Sequence, residues 1–130
     1  MDTKQARLDR ITTMGLLYQY DFYGSDDFCK DGEVSNQVLE KYYSILERLD
    51  EIDQIIINNL YDYSLKVLNI VDRSIIRLAV YEFLTRELAA EIIINEALEI
   101  TKEFSELDDE KQHRFTNKVL DNIYKSLSWS

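Results

Sequence analysis

An all-α bundle of six or seven helices joined by short links is the fold class this sequence predicts, on three observations. Proline is absent and glycine occurs three times in 130 residues, so the residues that punctuate strands and tight turns are scarce. Apolar residues recur three and four positions apart over long stretches, the spacing of one helix face. They make up 45% of the chain, enough for one packed interior at this length. No linker, repeat or low-complexity tract divides the chain, so residues 1–130 read as a single domain.

The first helix begins near "DTKQ" and runs through "ARLDRITTMGLLYQYDF". Leu8, Ile11, Gly15, Tyr18 and Phe22 are spaced to share its apolar face. The polar segment "YGSDDFCKDGE" holds two of the three glycines and reads as a loop. A second helix is expected through "SNQVLEKYYSILERL" and a third through "DEIDQIIINNLYDY", with "SLKVLNI" a short connection. The fourth occupies "VDRSIIRLAVYEFL", residues 71–84. Asp72 suits its N-cap, where a carboxylate accepts from orphan N–H groups. A fifth lies within "TRELAAEIIINEALEITKEFS", with Ile93, Ile94, Ala97, Leu98, Ile100 and Phe104 on one face. Glu91, Glu96, Glu99 and Glu103 fall on the other. The last runs from about Asp109 through "KQHRFTNKVLDNIYKSL".

The fourth helix carries an anomaly. At about 100° per residue, Arg73, Ser74, Arg77 and Tyr81 share a sector, and Glu82 falls opposite, between Val71, Ile75 and Leu78. Neighbours on a helix surface are three or four residues apart, so Glu82 reaches neither arginine along its own helix. Its partner must come from another helix or another molecule. Arg73 and Arg77 read as structural, bonded to nearby acids or carbonyls.

Familiar catalytic patterns are absent. Cys29 is the only cysteine and His113 the only histidine, which excludes an internal disulfide, two-histidine zinc sites and HExxH. Gly15, Gly24 and Gly32 are too far apart for a phosphate-cradling loop. "DFCKDGEVSNQV" resembles a calcium loop only faintly, because Val38 stands where the bidentate glutamate is needed. Neither an enzyme nor a cofactor is expected. A lone thiol suits a reducing compartment. No signal peptide or bilayer-length apolar run is present, so a cytoplasmic protein without a membrane is expected.

Charge is unevenly distributed. The formal net charge is −10, which as a whole repels nucleic acid and anionic membranes. Residues 1–24 and 111–130, however, hold seven basic against four acidic residues, a net +3, and the middle holds −13. Lys4, Arg7 and Arg10 step by three along the first helix. Arg114, Lys118 and Lys125 share a polar side of the last with Asn117 and Asp121. If these helices are neighbours, the two stretches merge into a basic strip suited to a phosphate backbone.

"VDRSIIRLAVYEFL", "IIINEALEITKEFS" and "FTNKVLDNIYK", with a weaker match in "GLLYQYDF", give the sequence its resemblance to the NusB family of bacterial transcription antitermination factors. The resemblance spans nearly the whole chain and implies two small helical bundles packed side by side. It further implies a non-enzymatic adaptor that pairs with the ribosomal protein NusE. Together they hold a single-stranded RNA element, boxA, and support read-through by the transcription elongation complex, especially in ribosomal RNA operons. By the same resemblance, Lys4, Arg7, Arg10, Asn117, Lys118 and Asp121 meet RNA, and Tyr18 and Glu82 face NusE. Glu82 is then expected to emerge at the rim of the core.

This chain departs from the family in an arginine-poor N-terminus and in Lys118, which replaces the usual glycine. A protein-interaction module with weak or lost RNA binding is therefore the alternative. A third reading, the NusB-like domain at the front of some ribosomal RNA methyltransferases, is weaker, because these residues include no cofactor-binding domain. Monomer and homodimer are both compatible with the sequence.

Overall fold

The computed structural model describes residues 3–24, 34–60, 68–104 and 109–127, which form six α-helices and, among the described residues, no strand. They are α1 (Thr3–Tyr23), α2 (Asn36–Glu47), α3 (Leu49–Asn58), α4 (Ile70–Thr85), α5 (Ala90–Phe104) and α6 (Asp109–Leu127). Most of the expected loop over 23–33, including Cys29, and most of the connection over 64–70 lie outside the described residues. So does the end of the third predicted helix beyond Leu60.

Local chemistry sets the helix ends. Gly24 takes φ +73 and donates its N–H to the Tyr20 carbonyl at 2.8 Å, closing α1 with the residue that tolerates a left-handed backbone. Ser35 caps α2 by accepting from the Val38 N–H at 3.2 Å. Arg48 leaves helical geometry at φ −107, separating α2 from α3 without a loop. The N-cap of α4 is Asn69, whose Oδ1 accepts from the Asp72 N–H at 2.9 Å. Asp72 therefore sits in the first turn rather than at the cap. Its Oδ2 accepts from the Asn69 side-chain amide at 2.7 Å.

α4 is the hub. α1 packs on α2, and α2 on α3, while α4, α5 and α6 pack mutually, giving two small bundles. α4 joins them by packing on α1 and α3 as well. Every residue from Ser74 to Phe83 is buried. Ile76 and Val80 belong to one core with Tyr42, Ile45, Ile52 and Ile56 from α2 and α3, and with Ile93, Ile100, Leu120 and Ile123 from α5 and α6. Each such side chain contributes about 1.5–3 kcal/mol on burial.

The structure changes the reading of α1. Its buried side is Arg10, Thr13, Met14, Leu16 and Leu17, and of the expected stripe Ile11 packs partly buried against the core. Leu8 is 53% and Phe22 63% exposed, Tyr18 is half-buried, and a side chain at Gly15 would meet nothing within 4 Å. The inward face includes an arginine and a threonine. Their polar groups are satisfied there, Thr13 Oγ1 donating to the Asp9 carbonyl at 2.8 Å, which is what makes burial tolerable.

Candidate RNA and partner surfaces

The anomalous carboxylate of α4 finds its partners on other helices. Arg10 of α1 donates through Nε to Glu82 Oε1 at 3.2 Å and sets Nη2 at 3.0 Å from Oε2. Lys41 of α2 places Nζ 3.0 Å from the same Oε2. Glu82 is 2% exposed, so the expectation that it emerges at the rim is corrected. Burying a carboxylate this deep is costly unless it is paired, and two cations pair it.

The network extends to the surface. Glu96 of α5 lies 3.8 Å from Arg10 Nη1 and accepts a fork from Arg7, Nε to Oε1 at 3.1 Å and Nη2 to Oε2 at 2.5 Å. Arg7 hydrogen bonding, then its charge, holds the Glu96 carboxyl below the usual glutamate range, and Glu96 in turn raises Arg7. Charges therefore alternate as Arg7, Glu96, Arg10, Glu82, Lys41, across α1, α5, α4 and α2. Glu96 is buried rather than on the solvated face where its spacing put it. Sequence reasoning missed Glu96 and Lys41 as members. Partners 41, 72 and 89 residues apart leave no local signal.

A second set of ion pairs anchors α4 as expected. Arg77 forks onto Asp53 of α3, with both bonds at 2.8 Å, and Arg73 donates to Asp21 of α1 at 2.6 Å. Arg77 Nη1 also reaches Asp21, at 3.2 Å.

Arg10, Lys41, Glu82 and Glu96 are among the residues lining an open groove of about 660 Å³ between α1, α2 and the start of α5. Asp9, Glu40 and Glu87 add negative charge to its walls, and Val38, Leu88 and Ile92 add apolar surface. Tyr18 is not in these walls. Its ring stacks on Phe22 at 6.2 Å between centroids, and Phe22 meets Tyr23 edge-on at 5.0 Å, forming an aromatic patch at the end of α1.

The predicted RNA residues lie on two helices, Lys4, Arg7 and Arg10 on α1 and Asn117, Lys118 and Asp121 on α6. α1 packs chiefly on α4 and α2, and α6 chiefly on α5 and α4. Lys4 is exposed and Arg7 half-exposed, while Arg10 is buried in the network. On α6, Asn117 and Lys118 are exposed, and Asp121 takes Lys125 at 2.9 Å. Thr116, Val119, Leu120 and Ile123 hold the opposite side of α6 in the core. The structure does join two sets that the sequence kept apart, because Arg10 and Glu82 bond directly.

No helix among the described residues is long and apolar enough to cross a membrane. The described residues contain no cluster of His, Cys, Asp and Glu able to hold a metal.

The chain is similar to proteins of known family. The NusB family profile matches residues 7–125. The transcription antitermination protein NusB of Bacillus cereus strain B4264 is 38% identical over 132 aligned positions, covering 95% of this chain and 99% of that protein. NusB of Bacillus thuringiensis strain Al Hakam matches at the same identity and coverage. Among solved structures, T. maritima NusB superposes with a TM-score of 0.77 at 32% identity, over 92% of this chain and 89% of that one. A chain from a crystal structure of antitermination factors NusB and NusE in complex with dsRNA superposes with a TM-score of 0.79. It is 23% identical, over 96% of this chain and 99% of that one, and shares the fold. With six helices among its described residues and a family match over nearly its whole length, this chain belongs to the NusB family of transcription antitermination proteins.

Proposed function

We propose that this protein is an antitermination adaptor that binds a NusE-class ribosomal protein and, with it, boxA-type single-stranded RNA in nascent transcripts, supporting read-through by the elongation complex. Family membership supplies the class of activity, and NusE and RNA are the ligands crystallised with a NusB of this fold. The observation that carries the reading for this chain is the separation of charge on its surface. Exposed Lys4 and Lys118 present cations on α1 and α6, and the groove walls between α1, α2 and α5 are acidic. Basic residues suit phosphate, and an acidic groove with apolar patches suits a basic protein.

On this reading Lys4, Arg7, Asn117, Lys118 and Asp121 form the RNA side. Tyr18, with Phe22 beside it, offers an aromatic contact to the partner. Arg10 and Glu82 act from beneath, fixing α1 against α4 so that both surfaces keep their shape. The alternative, an interaction module with little RNA affinity, draws on Arg7 and Arg10 being held by carboxylates of their own chain.

Replacing Lys4 and Lys118 together by Ala tests the reading. If both meet phosphate, the log–log salt slope of RNA binding falls by about 1.4, at roughly 0.7 counterion per single-strand contact, with melting unchanged. An unchanged slope removes both residues from the RNA surface.

A further inference from the structure

Arg7 is the most exposed member of the charge network. Its side chain is 40% exposed, and the Glu96 side chain it grips is 12% exposed. The grip is a fork of two N–H groups on two carboxylate oxygens. A guanidinium presents that same fork to phosphate, so Glu96 occupies the geometry an RNA phosphate needs. Glu96 also lines the acidic groove, where a cation from a basic protein can approach it. A single carboxylate thus sits between the basic end of α1 and the groove.

We propose that Glu96 is an internal competitor for RNA phosphate: it holds Arg7 in the free chain, and a basic partner entering the groove takes over the carboxylate and releases Arg7 to RNA. The inference rests on the RNA and NusE reading above and adds its regulation. Each ligand then favours the other by one shared exchange, because coupling between binding sites is reciprocal. Glu96 acts through Arg7 and is a positioning residue. Arg10, 3.8 Å away, keeps Glu96 from being left without a cation when Arg7 departs.

The test is a double-mutant cycle read by binding of a labelled boxA-type single-stranded RNA to parent, Glu96→Gln, Arg7→Ala and the double variant. Each is measured across salt concentrations, with and without purified NusE. Without NusE, Glu96→Gln tightens binding by up to roughly fivefold, the size of one exposed ion pair, and steepens the salt slope by about 0.7. Removing Arg7 as well, in the double variant, abolishes the gain. NusE raises RNA affinity in the parent more than in Glu96→Gln. Glu96→Asp, which keeps charge but shortens the reach, gives a smaller gain and covers the case in which the amide variant folds poorly.

The proposal is overturned if folded Glu96→Gln binds RNA no better than the parent, or if its gain persists without Arg7. Equal enhancement by NusE in both proteins overturns the exchange. If no protein of the set binds RNA even at low salt, the RNA reading itself fails and the competitor role with it, a pattern distinct from equal binding by parent and variant.

Discussion

Glu82 has almost no access to solvent and takes cations from two other helices, so its replacement acts first on stability. In Glu82→Lys, Arg10 and Lys41 would face a third cation where a carboxylate had been. Breaking a buried pair costs about 3–5 kcal/mol, and introducing repulsion adds to that. The variant is expected to melt far below the parent or not to fold, and any loss of partner binding follows from that. Glu82→Gln, which keeps shape, loses less. An unchanged melting temperature in Glu82→Lys would remove the carboxylate from the structural network.

Glu96 gives an acid-pH signature with a definite sign. Arg7, bonding to it and then attracting it, holds its carboxyl below the ordinary glutamate range. A group depressed on folding contributes fully above its unfolded pKa and loses that contribution as pH falls through the folded value. The melting-temperature difference between parent and Glu96→Gln should therefore be constant near neutrality and shrink as pH drops below the ordinary glutamate range. A difference that grows on acidification contradicts the pairing.

Among the helices, α4 depends most on its first turn. Asn69 satisfies the Asp72 N–H and also donates to the Asp72 carboxylate. Asn69→Ala should cost about 1 kcal/mol and lower the melting temperature by roughly 3–5 °C for a chain of this size. Asn69→Ser, which keeps a capping oxygen, should recover most of it. Equal melting of all three would show that the cap is dispensable.

Helix existence and order were legible because α2, α3, α5 and α6 carry strong 3.6-residue periodicity, and low glycine and proline left few other options. The orientation of α1 was not legible. Its apolar residues spread around the helix, and counting them favoured the Leu8–Phe22 side. The true inward side contains Arg10, acceptable there only because Glu82 and Glu96 approach from α4 and α5. The same long-range pairing hid the position of Glu96. The anchoring role of Arg73 and Arg77 was legible in kind, since two arginines in an apolar helix require acids, but Asp21 and Asp53 could not be singled out. The cap was misplaced by three residues, because Asp72 and Asn69 are both good capping residues.

At the scale of the whole molecule, a net charge of −10 opposes RNA, and the net positive stretches at the two chain ends work against that field. Raising salt weakens the local contacts to phosphate and screens the general repulsion as well. RNA affinity of the isolated chain is therefore expected to be modest, and a basic partner seated in the acidic groove should raise it by neutralising that part of the surface. The circular dichroism of the protein should be dominated by helix, with or without a chelator. A substantial β signal would contradict the fold.

The adaptor role is tested most directly by fluorescence anisotropy of a labelled boxA-type single-stranded RNA titrated with the purified chain, alone and with purified NusE. The account predicts weak, salt-sensitive binding by the chain alone and clearly tighter binding in the presence of NusE. NusE that binds the chain without either the chain or the pair retaining the RNA would contradict it.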